Sequence, residues 1–135
     1  MTIGKFTYKH RENFYFVFRI LVGILFLQHG AQKLFGAFGG INGSSVQIFS
    51  LFGLAGIIEF FGGLFIILGL FTRVVALVAG IELLVAFFKA HVPQGIIPIV
   101  NQGELALLYV ATFLVLMAWG AGKWGLDNVL FKKKG

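Results

Sequence analysis

The 135-residue sequence has no cysteine, and acidic and basic residues make up only 12% of it. Without thiols the chain by itself cannot form disulfides, thiolate metal sites or cysteine-ligated iron–sulfur clusters. We therefore predict no metal site, and any redox role needs a bound cofactor or a partner protein. Soluble domains contain about 25% charged residues. The low charge, together with 59% hydrophobic residues, predicts an integral membrane protein.

Apolar runs alternate with short polar segments along the chain, and twenty helical residues span roughly the 30 Å of a bilayer's hydrocarbon core. The very short turn at Thr72-Arg73 makes the helices on either side of it antiparallel neighbours. We therefore expect an all-α fold, an integral membrane four-helix bundle with up-down-up-down topology. Its helices are predicted at about residues 14–34, 46–70, 73–90 and 102–119. One domain would cover residues 14–120, with basic tails at 1–13 and 121–135.

The basic residues are unevenly distributed between the two predicted sides of the membrane. Nine of the eleven lie on the side that holds both tails and the Thr72-Arg73 turn, including the C-terminal cluster Lys132 to Lys134. Only Lys33 and Lys89 lie on the other side. By the positive-inside rule both termini are cytoplasmic, in a multi-pass protein of a prokaryotic plasma membrane. The lipid bilayer is then the main partner, and no basic stripe remains for nucleic acid.

Glu59 lies near the middle of the most apolar run, which holds 14 apolar residues, five glycines and this glutamate between Leu51 and Leu70. A charge at that depth costs about 2.5–3.5 kcal/mol on insertion scales. It persists only if it faces the bundle interior, finds a partner such as Lys33 or another cation, or stays protonated. Gly56 and Gly63 share its helical face, which predicts a helix-packing face. Two interpretations stay open: a functional carboxylate, or a hydrogen bond that only holds helices together.

Other polar residues fall in the half of the bundle away from the termini. His29 and Lys33 lie one helical turn apart, and Glu82 lies at mid-membrane in the third helix. The segment after Lys89 contains both prolines, which break any helix there. A simpler account of His29 and Lys33 is a helix end that meets water.

The Pro-containing segment brings three further polar residues to the same side. His91 begins it, and Asn101 and Glu104 end it. Asn101 and Glu104 also fit a capping box at the start of the fourth helix, which is a purely structural role. The convergence nevertheless predicts one cavity that opens to the outer face. Its candidate residues are His29, Lys33, Glu59, Glu82, His91, Asn101 and Glu104.

The order and spacing of several short motifs between Phe18 and Asp127 resemble those of the DoxX family of small four-helix membrane proteins. The resemblance is carried by Arg19 with Gly23, His29-Gly30, Lys33-Leu34, Glu59 with Gly62-Gly63, Gly69-Leu70 with Thr72-Arg73, Asn101 with Glu104, and Gly120-x-Gly122 before Leu126-Asp127. The family takes its name from subunits associated with thiosulfate:quinone oxidoreductase. The resemblance implies a four-helix bundle, quinone or sulfur redox chemistry, a quinone as cofactor and a redox partner protein.

Three functions fit these residues. The first is a subunit of an oxidoreductase system that binds a small polar or quinone-like ligand in the outward-facing cavity. Glu59 and Glu82 would then be catalytic and relay protons, and the ligand would be bound by His29, Lys33, His91, Asn101 and Glu104. The second is a small transporter or proton-coupled permease, although the sequence shows no inverted repeat. The third is a structural or assembly subunit without a ligand of its own, and a homo-oligomer is compatible with all three.

Overall fold

The structure, a computed structural model, describes residues 1–131, so the predicted basic cluster Lys132 to Lys134 lies outside the described residues. Within that range every regular element is a helix, which confirms the all-α prediction. The α-helices are α1 (Ile3–Lys9), α2 (Arg11–Phe35), α3 (Leu51–Leu68), α4 (Thr72–Ala86), α5 (Pro98–Asn101), α6 (Glu104–Trp119) and α7 (Leu126–Leu130).

Three segments are long and apolar enough to cross a membrane: Arg11–Phe35, Leu51–Leu68 and Thr72–Gln94. The third consists of α4 followed by a π-helical turn at Phe87–His91 and a 3-10 turn at Val92–Gln94. The fourth apolar helix, α6, has 16 residues, which is roughly 24 Å of helix. Three of the four predicted transmembrane helices are therefore long and apolar enough to span a bilayer, whereas α6 is shorter than these three segments.

The helix ends differ from the sequence-based bounds where side chains cap the backbone. α3 begins at Leu51 and not near residue 46, because the Ser50 hydroxyl accepts a hydrogen bond from the Gly53 amide at 3.1 Å. Residues 1–13, expected only as a tail, contain α1 and the first turn of α2. A separate short helix, α5, begins at Pro98.

α2 and α3 pack in opposite directions through faces rich in glycine. A Cβ atom added at Gly30 would collide with the backbone of Phe60. At Gly63, farther along α3, an added Cβ would lie 2.5 Å from the backbone nitrogen of Leu27, which precedes Gly30 on α2. Small residues let the two backbones approach closely. The face of α3 that carries Glu59 is therefore the packing face, as its glycine spacing predicted.

The apolar core lies where the α2–α3 pair meets α4 and α6, which also pack side by side in opposite directions. Phe26 of α2, Ile66 of α3, Ala79 of α4 and Phe113 of α6 are all fully buried there. Phe26 and Phe113 form an edge-to-face pair with centroids 4.9 Å apart, an arrangement that aromatic rings favour.

Backbone groups of the α3–α4 turn are bound by residues from the two ends of the chain. The buried Arg19 guanidinium donates to the Ile66 carbonyl at 3.3 Å. The Asp127 carboxylate accepts from the amides of Phe71 and Thr72 at 2.7 and 3.1 Å, so it caps the N-terminus of α4. The start of α2, the α3–α4 turn and the segment after α6 thus meet at one end of the molecule. The candidate polar residues lie between the middle of the bundle and its other end.

Candidate functional site

An ion pair between Lys33 and Glu59 joins α2 to α3. Lys33 Nζ lies 2.6 Å from Glu59 Oε2, and the two side chains are 13% and 5% exposed. Gly56, one turn before Glu59, makes room for the lysine stem, because an added Cβ there would lie 3.1 Å from Lys33 Cβ. The glycine-mediated packing of α2 on α3 therefore places the amine against the carboxylate. Lys33 satisfies the buried charge of Glu59 directly.

Glu82 of α4 faces the same ion pair from across the interior. Its carboxyl group lies near both Glu59 and Lys33. Its Oε2 atom is buried and has no hydrogen-bond partner among the described residues. A buried polar atom without a partner costs about 1–3 kcal/mol. Lys33 bonds to Glu59, so the Oε2 atom of Glu82 is available to bind a ligand or exchange a proton.

His29 and Tyr109 form an aromatic wall beside these charges. The two rings meet edge to face, with centroids 5.7 Å apart, and Tyr109 also packs against Phe26 at 5.5 Å. Both side chains lie within electrostatic range of Glu59. Sequence reasoning missed Tyr109. One signal could have found it: of the three tyrosines, it alone lies deep inside an apolar run.

These groups line one cavity of about 830 Å³, whose walls come from α2, α3, α4 and α6. Most of the wall is apolar, with aliphatic residues of α3 and α4 along its length. The polar and charged lining residues are His29, Lys33, Glu59, Glu82, Lys89, His91, Gln102 and Tyr109. Of the seven candidate residues from the sequence, the structure brings five together in this cavity: His29, Lys33, Glu59, Glu82 and His91.

Asn101 and Glu104 do not line the cavity. Asn101 is completely buried and holds the loop before α6: its amide donates to the Gly95 carbonyl at 2.7 Å and accepts from the Gly103 amide at 2.8 Å. Its own carbonyl lies 3.0 Å from Nδ1 of His91. Glu104 is exposed at the first position of α6. The expected capping box is absent, because Gly103 and not Asn101 precedes the helix.

Similarity to known protein families identifies the family of this chain. The family model described as DoxX matches residues 14–92. The chain belongs to the DoxX family. The match covers α2, α3 and α4 and so includes all five gathered candidates, whereas Tyr109 lies beyond it.

Three curated relatives of this DoxX protein resemble it over most of their length. A protein of Haemophilus influenzae Rd named "Uncharacterized protein" is 41% identical over 131 residues, covering 93% of this chain and 96% of its own. Inner membrane protein YqjF of Escherichia coli K12 is 34% identical, covering 87% and 92%. A Bacillus subtilis 168 protein named "Putative oxidoreductase CatD" is 29% identical, covering 86% of each chain. No solved structure matches. The family, these relatives and the apolar helices confirm a multi-pass protein of the plasma membrane.

The DoxX site contains a cluster of Lys33, two acids and two aromatic rings in the wall of an apolar cavity. Lys33 and His29 offer hydrogen-bond donors for a carbonyl or an oxyanion. Glu82 offers an unpartnered carboxyl oxygen for proton exchange. Within residues 1–131 no group of three or more His, Asp or Glu side chains is arranged to hold a metal ion. The arrangement suits a small neutral polar group presented by an organic ligand.

Proposed function

We propose that this DoxX protein is a membrane subunit of an oxidoreductase system and that its cavity binds the headgroup of a quinone-like ligand. One observation carries the proposal: the buried Lys33–Glu59 pair and the unpartnered Glu82 oxygen lie together in an apolar cavity of about 830 Å³. Ligand sites are typically pockets of about 300–1,000 Å³ with apolar walls and a few converging polar groups. The name of the relative CatD contains the word oxidoreductase, which supports the same class of function.

In this proposal each polar residue has a distinct role. Lys33, oriented by Glu59, donates to a quinone carbonyl, and His29 contacts the ring edge or the second carbonyl. Glu82 passes protons to the ligand as it is reduced. Reduction to the quinol takes two electrons and two protons, and a redox partner protein supplies the electrons. His91 contributes to the rim of the cavity, where Asn101 holds its ring in place, and Glu104 has no part in binding.

We also propose that the chain crosses the membrane four times, up-down-up-down, with both termini in the cytoplasm. Support comes from Arg19, Arg73 and the segment after α6, which meet at one end of the bundle. The cavity then opens towards the outer half of the membrane. Reporter fusions after Gly40 and after Gly95 should report the outside, and a fusion at Gly135 the inside. An inside signal from the Gly95 fusion would contradict this topology.

Quinone binding by the purified protein tests the function. The probe is a fully substituted benzoquinone, added to the protein in lipid nanodiscs and quantified by calorimetry or native mass spectrometry. We expect Lys33→Met to weaken binding at least tenfold, because a hydrogen bond to a charged group contributes about 1.5–3 kcal/mol. The matched control is Lys123→Met, which changes an exposed lysine at the opposite end. Wild-type protein that binds no quinone would instead support the assembly role.

A further inference from the structure

One place where the cavity reaches the surface of the bundle is a gap between α3 and α4. Next to their connecting turn the two helices are in contact, since a Cβ added at Gly62 would meet the Val75 side chain at 3.4 Å. Farther from the turn, Leu54 of α3 and Ile81 and Val85 of α4 line the cavity. The same three residues are 53%, 54% and 47% exposed at the bundle surface. The cavity is therefore open to the bundle surface along this wall.

The chemistry of this opening indicates where a ligand comes from. The three exposed residues at this gap are aliphatic, and they lie in segments that are long and apolar enough to span a bilayer. Exposed surface on such segments faces acyl chains, so the gap connects the polar cluster with the hydrocarbon of the membrane. A lipid-soluble molecule reaches the gap directly, whereas a charged solute would have to cross the hydrocarbon at a high energetic cost.

The depth of the polar cluster decides which kind of lipid-soluble molecule fits. Glu59 is the ninth of the 18 residues of α3, which places it about 12 Å along the helix. A phospholipid keeps its charged phosphate in the headgroup layer, outside that depth. The ligand must instead carry an uncharged polar head to the middle of the bundle and bear an apolar tail. A quinone with an isoprenoid tail has this form.

We propose that a tailed quinone enters the cavity sideways from the bilayer between α3 and α4. Its ring then lies against Lys33 and Glu82, and its tail stays in the gap beside Leu54 and Ile81. This inference rests on the proposed function and adds the route by which the quinone enters and the position of its tail. Ala55 of α3 and Val78 of α4 also line the cavity, on opposite sides of this gap.

Bulky substitutions on either side of the gap provide the test. The probes are a fully substituted benzoquinone with an isoprenoid tail and the same ring with a methyl group in place of the tail. Ala55→Trp places an indole in the gap, and Val78→Trp does so from the other helix. The matched control is Ala111→Trp, on the exposed face of α6 and outside the cavity lining. Binding of both probes is measured in nanodiscs.

We expect both gap variants to lose at least tenfold in affinity for the tailed quinone. Binding of the tail-free ring should fall much less than binding of the tailed quinone, and wild-type helix content by circular dichroism shows that the variants fold. The control should bind both probes normally. Wild-type binding of the tailed quinone by Ala55→Trp and Val78→Trp would overturn the lateral route and leave the proposed function intact. A wild-type protein that binds neither probe would overturn the proposed function itself.

Discussion

Removing the charge of Lys33 should destabilise the bundle by leaving Glu59 buried without its cation. Breaking a buried pair by deleting one partner costs about 3–5 kcal/mol. Lys33 is 13% exposed and Glu59 only 5%, so some screening reaches the amine and we expect Lys33→Met to cost about 3 kcal/mol. Glu59→Gln should cost less, about 1–2 kcal/mol, because the flexible lysine stem can carry its charge towards water. The double variant removes both charges and should recover to within about 1 kcal/mol of wild type.

The assay is reversible unfolding in mixed micelles, with sodium dodecyl sulfate as denaturant and helix content followed by circular dichroism. The double-mutant cycle should give a coupling free energy of about 3–5 kcal/mol between Lys33 and Glu59. Lys89→Met is the control, because Lys89 is exposed and forms no ion pair among the described residues. It should change stability by less than about 0.5 kcal/mol. Single-variant effects that add to within about 0.5 kcal/mol would refute the assignment of Lys33 as the partner of Glu59.

Three further predictions concern packing, capping and the aromatic wall. Gly30→Ala should destabilise the bundle by several kcal/mol, because its methyl group would overlap the α3 backbone. Gly80→Ala, whose added methyl group would have its nearest neighbour at 3.8 Å, should be tolerated in the same unfolding assay. Asp127→Ala should cost about 1–2 kcal/mol by uncapping α4, and unchanged stability would show that the cap is dispensable. Tyr109→Phe should keep wild-type stability, since the ring contacts remain. It should weaken quinone binding severalfold through loss of the hydroxyl, and wild-type affinity would show that the hydroxyl does not contact the quinone.

The sequence alone determined the helical membrane fold and the half of it that carries the polar residues. A bilayer requires each spanning segment to satisfy its own backbone hydrogen bonds, so apolar runs of this length become helices. The same medium makes an exposed glutamate so costly that Glu59 had to face inward, and its flanking glycines identified the packing face. These conclusions depend only on neighbours along one helix.

Tertiary structure decided which of the polar residues meet. Lys33 is the partner of Glu59 because the rotation and depth of α2 against α3 depend on close contacts such as that of Gly56, which no single helix specifies. Gly103 takes the capping position before α6, so the helix begins at Glu104. In the packed bundle Tyr109 lines the cavity and Glu104 does not. The gap between α3 and α4 likewise exists only once four helices are packed together. Distances across a bundle arise from the packing of side chains far apart in sequence, whereas helix formation and burial arise from the local sequence and its solvent.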